Sequence, residues 1–180
     1  DPAGLTPLWP PVDTFWADPF AWSRGGRRFI FLEEYPFHTQ RGRISVLELG
    51  ADLMPLGPAL AVLDEDRHLS YPFLFRFEDE IYMVPESAAS RRVDLYRCQS
   101  FPDRWTRVGT LIEGLQAADA TLFEHEGRWW LFCSARQGKA RLIAGGTDLV
   151  LDVRQAKFAP ECLVDTTGIP GIDAIAVEGE

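Results

Sequence analysis

The sequence predicts a mainly β protein, an incomplete β-propeller of antiparallel four-stranded sheets with a small C-terminal α/β appendage. A short phrase recurs three times, as Ala17-Asp18-Pro19-Phe20, Ser70-Tyr71-Pro72-Phe73 and Ala118-Asp119-Ala120-Thr121. Each copy leads into an apolar strand, a short polar or glycine turn and an aromatic strand. Repeats of roughly 50 residues that contain several strands are typical of propeller blades. The pattern is lost after residue 136.

The blades can be divided into strands in chain order. Blade one offers FAWS, RRFIFLEE, RISVLEL and ALAVLD, with a turn at Gly25-Gly26. Blade two offers FLFRF, EIYMVPES, RVDLYRC and WTRVGTLIE, separated by turn residues. Blade three offers only TLFEH and RWWLFCSA. We therefore expect about three blades, with the third incomplete.

The segment after the repeats has a different character. A short apolar run at 140–144 predicts a strand, and Thr147 can cap a helix over 148–155. Two further strands are expected at 162–165 and 174–178. We divide the chain into a partial propeller, residues 1–136, and a fragment of other origin, residues 137–180.

Composition excludes several classes of function. The formal net charge is −9, which argues against nucleic acid or an anionic membrane as a partner. No apolar run approaches the roughly 20 residues of a membrane span. No signal peptide is visible, which favours the cytoplasm, and a start at Asp1 without Met is compatible with N-terminal processing.

Cysteine and histidine spacing predicts no metal site. The three cysteines form no CxxC pair, and Cys98 and Cys133 lie in strand-like runs that suit core packing. His68 precedes the second phrase, where it either faces a cleft or makes a structural hydrogen bond. The tryptophans could stack on sugars or pack between blades.

The first 136 residues resemble a known family. WADPF, HLSYPF, EIYMVPES, FPDRW and DATLFEHEGRWWLF together resemble the N-terminal propeller domain of glucosamine inositolphosphorylceramide transferases. More broadly they resemble the five-bladed propellers of the glycoside hydrolase clan that includes arabinanases and xylosidases. The resemblance implies a carbohydrate-related domain.

The same resemblance implies roles for three acidic residues. Asp18 matches the general base of the hydrolases, and Asp119 matches the aspartate that orients and tunes the acid. Their general acid, a glutamate of blade four, has no counterpart in this sequence. Glu86 is a candidate ligand for a sugar hydroxyl, while Tyr71 replaces an acid in the second phrase. The alternative is that each aspartate only caps its own local turn.

The tail resembles a different family. ARLIAGGTDLVLDVRQ and the residues after it resemble the start of the FAD-binding domain of molybdopterin-dependent dehydrogenases. The resemblance implies that a glycine loop holds the FAD pyrophosphate through Ile143, Ala144, Gly145, Gly146, Thr147 and Asp148. Glycines allow close backbone approach, and a helix N-terminus favours phosphate. The alternative is a turn with no ligand. We expect no tight FAD binding, because so short a unit cannot bury the cofactor.

Three functions follow from these observations. The first is a carbohydrate-related propeller that binds sugar or is a catalytically incomplete relative of glycoside hydrolases. The second is an FAD-binding oxidoreductase fragment fused to the propeller. The third is a propeller that serves as a scaffold for other proteins, with a partner chain or a second copy covering its exposed blade edges.

Overall fold

The computed structural model describes residues 6–125, 128–135, 163–165 and 176–178, with the main chain alone for residues 128 and 135 and for the last two segments. Their strands form three four-stranded sheets, each with antiparallel neighbours. The mainly β fold predicted from the repeats is confirmed.

Blades one and two are simple meanders, in which each strand pairs with the next along the chain. Blade one contains β1 (Thr14–Arg24), β2 (Arg27–Pro36), β3 (Arg43–Leu49) and β4 (Leu60–Leu63). Blade two contains β5 (Ser70–Phe77), β6 (Glu80–Glu86), β7 (Arg92–Ser100) and β8 (Arg104–Glu113), with a 3-10 turn at Ala88–Ser90.

Blade three draws on both parts of the sequence. Its strands are β9 (Ala117–His125), β10 (Arg128–Ala135), β11 (Leu163–Asp165) and β12 (Ala176–Glu178). The sequence suggested that this blade stops after two strands. Instead β11 pairs antiparallel with β10, and β12 with β11, so two predicted tail strands complete the sheet. The predicted helix over 148–155 lies outside the described residues.

The core lies between the blades. Leu74 and Met83 of blade two join a buried cluster with Phe29 and Phe31 of blade one. Phe75 and Val84, the next residues along, join a second cluster with residues of blade three. Because successive side chains point to opposite faces of a strand, the middle sheet is covered on both sides. This explains why FLFRF and EIYMV read as nearly continuous apolar runs.

The two core clusters also contain the strand cysteines. Cys98 lies in the cluster between blades one and two, and Cys133 in the cluster between blades two and three. The prediction that these cysteines fill the core is confirmed. Within the described residues, no helix is both long enough and apolar enough to cross a membrane.

Candidate functional site at the junction of the inner strands

The second copy of the repeated phrase contacts both of the others. They occupy the innermost strand of each blade, β1, β5 and β9. Asp18 Oδ2 accepts a hydrogen bond from the Tyr71 N–H at 3.2 Å, and the Tyr71 hydroxyl lies 2.9 Å from Thr121 Oγ1. Phe20 meets Phe73 edge to face at 5.4 Å. The repeat therefore brings its copies to one junction although they are far apart in sequence.

Each copy has the same unusual backbone. Asp18, Tyr71 and Asp119 occupy the second position of the phrase and have φ values of 49°, 42° and 54°. Left-handed conformations cost free energy in residues other than glycine, and the cost is greatest for bulky side chains such as Tyr71. The strand register shifts at the same point in all three blades. Such β-bulges re-aim side chains, and here they do so at the blade junction.

Carboxylates of one blade bind the bulge of the next. Asp18 of blade one binds the Tyr71 N–H of blade two, as described above, and Glu86 of blade two accepts from the Asp119 N–H of blade three, with Oε2 at 3.0 Å. The two predicted aspartates are thus each joined to blade two. The alternative that each aspartate caps its own turn does not describe Asp18, whose partner is in the neighbouring blade.

Glu33 is a candidate site residue that the sequence reasoning missed. It lies opposite Ala17 in the β1–β2 register, as Glu86 lies opposite Ser70 in blade two. The offset of 53 residues that relates the first two phrases also relates Glu33 to Glu86. Extending the repeat alignment into the second strand would have found it.

Burial and neighbouring charge act on Glu33 together. Its exposed fraction is only 6%. Burial, followed by the negative charges of Asp18 and Glu86, raises the pKa of Glu33 to about 7. Asp18 and Glu86 therefore both lie within electrostatic reach of Glu33, and Glu33 carries a proton over part of the physiological pH range. We call Asp18, Glu33, Glu86 and Asp119 the axial acidic group.

His68 connects this group to the turn between β2 and β3. Its Nε2 lies 3.3 Å from Glu33 Oε1, and its Nδ1 accepts a hydrogen bond from the Gly42 N–H at 2.9 Å. Burial lowers the pKa of His68, and the charge of Asp18 opposes that shift in part. These partners assign the neutral ring with its proton on Nε2. The structural hydrogen bond predicted as one alternative for His68 is confirmed, and the ring also lies beside Glu33.

Gly42 makes this arrangement sterically possible. A Cβ at this position would lie 2.7 Å from Glu33 Oε1, from His68 Cε1 and from the Leu69 carbonyl oxygen. No side chain fits at that separation without displacing the carboxyl or the ring. Neither Gly42 nor His68 recurs in the other blades, and only the position of His68 before the second phrase drew attention to it.

Aromatic rings lie beside the axial acidic group on blade one. Phe15 stacks on Tyr35 with ring centroids 4.8 Å apart, and Phe37 lies 6.3 Å from Phe15. Tyr35 lies two residues beyond Glu33 and 6.0 Å from the His68 ring. Phe15 and Phe37 are 39% and 50% exposed, respectively. We call Phe15, Tyr35 and Phe37 the aromatic patch.

Two tryptophans with described ring or core contacts pack between blades, which is the structural alternative to stacking on sugars. Trp22 packs against the core cluster between blades one and two. Trp129 lies 5.2 Å from Phe75 and 6.1 Å from Phe77, against the other cluster. Blade-to-blade packing therefore accounts for both.

Other possible sites lie elsewhere or are not supported. A cavity of about 570 Å³ lies at the outer side of the blades and is lined by Val62, Gln99, Asp103, Arg104, Trp105 and Thr106. Within the described part of the chain, no three His, Cys, Asp or Glu residues come together as a metal site would require. The residues predicted to hold FAD, 143–148, lie outside the described residues.

The family of the chain is shown by residues 10–153, which match the family described as glucosamine inositolphosphorylceramide transferase 1, N-terminal. The chain belongs to this family. It is 43% identical over 123 residues to glucosamine inositolphosphorylceramide transferase 1 of Oryza sativa subsp. indica, and 39% identical over 127 residues to that of Arabidopsis thaliana. These matches cover 67% and 69% of the chain but 16% of each relative.

The fold is similar to that of a solved glycosidase. The α-L-arabinofuranosidase from Lactobacillus brevis superposes with a TM-score of 0.58 at 9% identity, over 78% of this chain and 50% of that one. At that identity the likeness shows the fold alone, and it supports the propeller architecture. Family and fold together support a carbohydrate-related propeller domain.

The FAD resemblance finds no support in these relatives, which are transferases and a glycosidase. The family match continues past residue 136 to residue 153 and takes in residues 143–148. The division of the chain near residue 136 stays a prediction.

Proposed function

We propose that this domain binds carbohydrate where its inner strands meet, through the axial acidic group and the aromatic patch. The observation that carries the proposal is the convergence of the repeated phrase, which places carboxyl groups of blades one and two beside the bulges of blades two and three. A role in carbohydrate chemistry also agrees with the names of the relatives.

The chemistry of the site suits a sugar ring. Carboxylates accept hydrogen bonds from sugar hydroxyls, and such charge-assisted bonds are stronger than neutral ones. Asp18 is exposed, so it can reach a ligand. The apolar face of a sugar can pack on the exposed rings of Phe15 and Phe37. Glu33 is buried beneath, and its proton state adjusts the charge of the site.

We propose binding without hydrolysis. Inverting hydrolysis needs one carboxyl group that gives a proton to the leaving group and a second that activates water. Asp18 could serve as the base. Glu33 holds a proton at and below about pH 7, but at 6% exposure it cannot reach a glycosidic oxygen.

How this domain relates to the transfer reaction of its longer relatives needs a separate proposal. The chain spans 16% of each transferase that it matches. We propose that the domain recognises carbohydrate for a glycosyl transfer carried out elsewhere in such a protein, and that no transfer takes place at the axial acidic group.

A sugar panel tests the proposed site. Saturation-transfer NMR with neutral hexoses, pentoses and amino sugars should show weak binding, and Asp18→Asn should weaken it several-fold. Asp79→Asn is the matched control, since Asp79 lies in the turn at the opposite end of β5 from Tyr71. Equal binding by both variants, or none by the wild type, would contradict the site. Binding of a protein partner without a sugar response would favour the scaffold function.

A hydrolysis assay tests the absence of turnover. Aryl glycosides incubated with the purified domain should release no phenol above the blank rate. Hydrolysis that disappears in Asp18→Asn would show that the site is catalytic, and hydrolysis that survives it would place the chemistry elsewhere.

The FAD alternative stays a prediction. We expect a colourless purified protein that holds no flavin through desalting after FAD is added. Flavin absorption bands that persist in the wild type and disappear when Gly145 and Gly146 are both replaced would overturn this expectation.

A further inference from the structure

The hydrogen bonds of His68 give its ring two distinct roles at once. On one side Nδ1 accepts from the Gly42 N–H, in the turn between β2 and β3. On the other side Nε2 faces Glu33 Oε1 at 3.3 Å. His68 itself lies in the segment that leads from blade one into blade two. The ring therefore ties that segment to blade one at two points.

One of these bonds exists only while the ring is neutral. A neutral imidazole has one donor nitrogen and one acceptor nitrogen, but a protonated imidazole has two donors. Protonation would place an N–H on Nδ1 directly against the N–H of Gly42 at 2.9 Å. Two donors cannot share that position, so the ring would have to move or the bond would break.

The space around the ring is limited on the Gly42 side. Atoms of Glu33, His68 and Leu69 already occupy the volume that a Cβ at Gly42 would fill. The Leu69 N–H also donates to the Gly42 carbonyl oxygen at 2.9 Å. The Gly42 backbone therefore leaves the ring no free space on that side. The His68 side chain is 43% exposed, so it can swing outward.

We propose that His68 is a proton-operated latch: the neutral ring fastens the segment before blade two onto the β2–β3 turn and covers Glu33, and the protonated ring releases both. The direction of the Gly42 hydrogen bond and the packing around it support this proposal. It goes beyond the proposed function and would hold even if the domain bound no sugar.

The charged groups around the latch set the pH at which it opens. Burial lowers the pKa of His68, and the carboxylate of Asp18 on β1 raises it in part. Glu33 on β2 gains its proton first, near pH 7, so it then no longer attracts a cationic ring. The ring of Tyr35 lies 6.0 Å from the His68 ring and is tilted against it by 55°.

Charges farther out act on the latch only indirectly. Glu86 on β6 acts on Glu33. Arg41 and Arg43 flank Gly42 but pair with Asp64, and Arg43 also with Glu34. The latch is therefore expected to open below pH 6.5, the ordinary pKa of histidine.

Amide exchange and NMR titration of the full chain test the latch. The Gly42 amide proton shift should change with the same midpoint as the His68 ring nitrogens. Below that midpoint its protection against hydrogen exchange should fall roughly two- to tenfold, as expected for the loss of one hydrogen bond. The amide of Gly114, which donates to the Arg91 carbonyl oxygen in blade two, serves as the internal reference.

Three variants separate the groups involved. His68→Asn offers an acceptor oxygen in place of Nδ1 but does not titrate, so its Gly42 protection should not depend on pH. His38→Asn, in the same β2–β3 connection, should behave as the wild type. Glu33→Gln should keep the Gly42 response, because the response belongs to the ring. A Gly42 amide that stays unchanged through the His68 titration, or that still titrates in His68→Asn, would overturn the latch.

Discussion

Two buried carboxyl groups in this domain face opposite surroundings. Glu33 of blade one is 6% exposed and Asp94 of blade two is 1% exposed. The Glu33 side chain lies near Asp18 and Glu86, and its pKa is raised to about 7. Asp94 lies among arginines, and its pKa is lowered. Two carboxyl groups that are both buried thus have pKa values shifted in opposite directions.

The surroundings of Asp94 explain its lowered pKa. Burial alone would raise it, but hydrogen bonds from Thr110 Oγ1 at 2.7 Å and from Arg107, together with the charges of Arg107 and Arg67, outweigh burial. Arg67 Nη2 lies 2.9 Å and Arg92 Nη2 3.4 Å from Asp94 Oδ2. This group fastens β7 to β8 and to the segment before β5.

The difference separates a structural carboxylate from a candidate functional one. A buried charge that only supports the fold is expected to be paired and hydrogen-bonded, as Asp94 is. A buried carboxyl group set among other carboxylates destabilises its charged form and is more frequent at functional sites. The comparison therefore favours the axial acidic group over the Asp94 group as the candidate site.

Removing Asp94 should have the largest effect. Asp94→Ala leaves Arg67, Arg92 and Arg107 without their shared counter-charge, so the free energy of unfolding should fall by about 3 kcal/mol. Urea denaturation at pH 7 measures it. Asp64→Asn is the control, because Asp64 pairs with Arg41 and Arg43 at a side-chain exposure of 42% and should cost less than about 1 kcal/mol. If both variants lost a similar free energy of unfolding, Asp94 would not stabilise the fold more than Asp64 does.

Gly42→Ala should come next, because the added Cβ meets three atoms at 2.7 Å. Overpacking of this kind costs about 1–3 kcal/mol, and the change should also displace His68 from Glu33. Denaturation measures the first effect and the His68 ring shifts measure the second. Gly109→Ala in β8 meets nothing within 4 Å and should be neutral or slightly stabilising. If Gly42→Ala left the free energy of unfolding unchanged, the turn between β2 and β3 would accommodate the added Cβ at little cost.

The pH dependence of stability tests Glu33 directly. Its pKa in the folded state, about 7, lies above the ordinary 4.5, so the folded state binds the proton more tightly. The stability that this proton gives is complete below pH 4.5 and is lost as the pH rises through 7. As the pH rises from 5 to 8, the free energy of unfolding of Glu33→Gln should therefore increase by about 2 kcal/mol relative to that of the wild type.

The control for that experiment is Glu113→Gln, an exposed residue at the end of β8. Its stability curve should run parallel to that of the wild type. If Glu33→Gln also ran parallel, Glu33 would have an ordinary pKa, and its contrast with Asp94 would disappear.

Tyr71→Phe should have the smallest effect. It removes the hydroxyl that meets Thr121 Oγ1 at 2.9 Å across the junction of blades two and three, which should cost about 1 kcal/mol. Tyr82→Phe, a half-buried tyrosine on β6 of the same blade, should cost less. If the order were reversed, the contact between neighbouring phrases would not contribute to stability.

The repeat alone was sufficient to predict most of the fold. Period, turn residues and apolar strands specified the blades, because each blade is a local meander whose strands pair with their sequence neighbours. The pairing of β11 and β12 with β10 did not follow from the sequence. Those strands lie well beyond β10 along the chain, and short apolar runs do not specify their partners.

The sequence by itself placed Asp18, Tyr71 and Asp119 at equivalent positions, since a repeated phrase must fold alike in each blade. It also contained Glu33 at the offset that relates it to Glu86, although that signal lies outside the phrase. Only the tertiary structure decided what these groups contact. Whether a carboxyl group keeps its proton depends on burial and on charges brought from other strands, and neither is local in sequence.

The same reason applies to His68 and Gly42. Both histidines lack a ligand motif, and only the position of His68 just before the second phrase distinguishes it from His38. His68 gains its role because the turn after β2 presents the Gly42 N–H on one side and β2 presents Glu33 on the other. A histidine becomes a proton-sensitive contact through the partners of its two nitrogens, and chain folding alone brings those partners together.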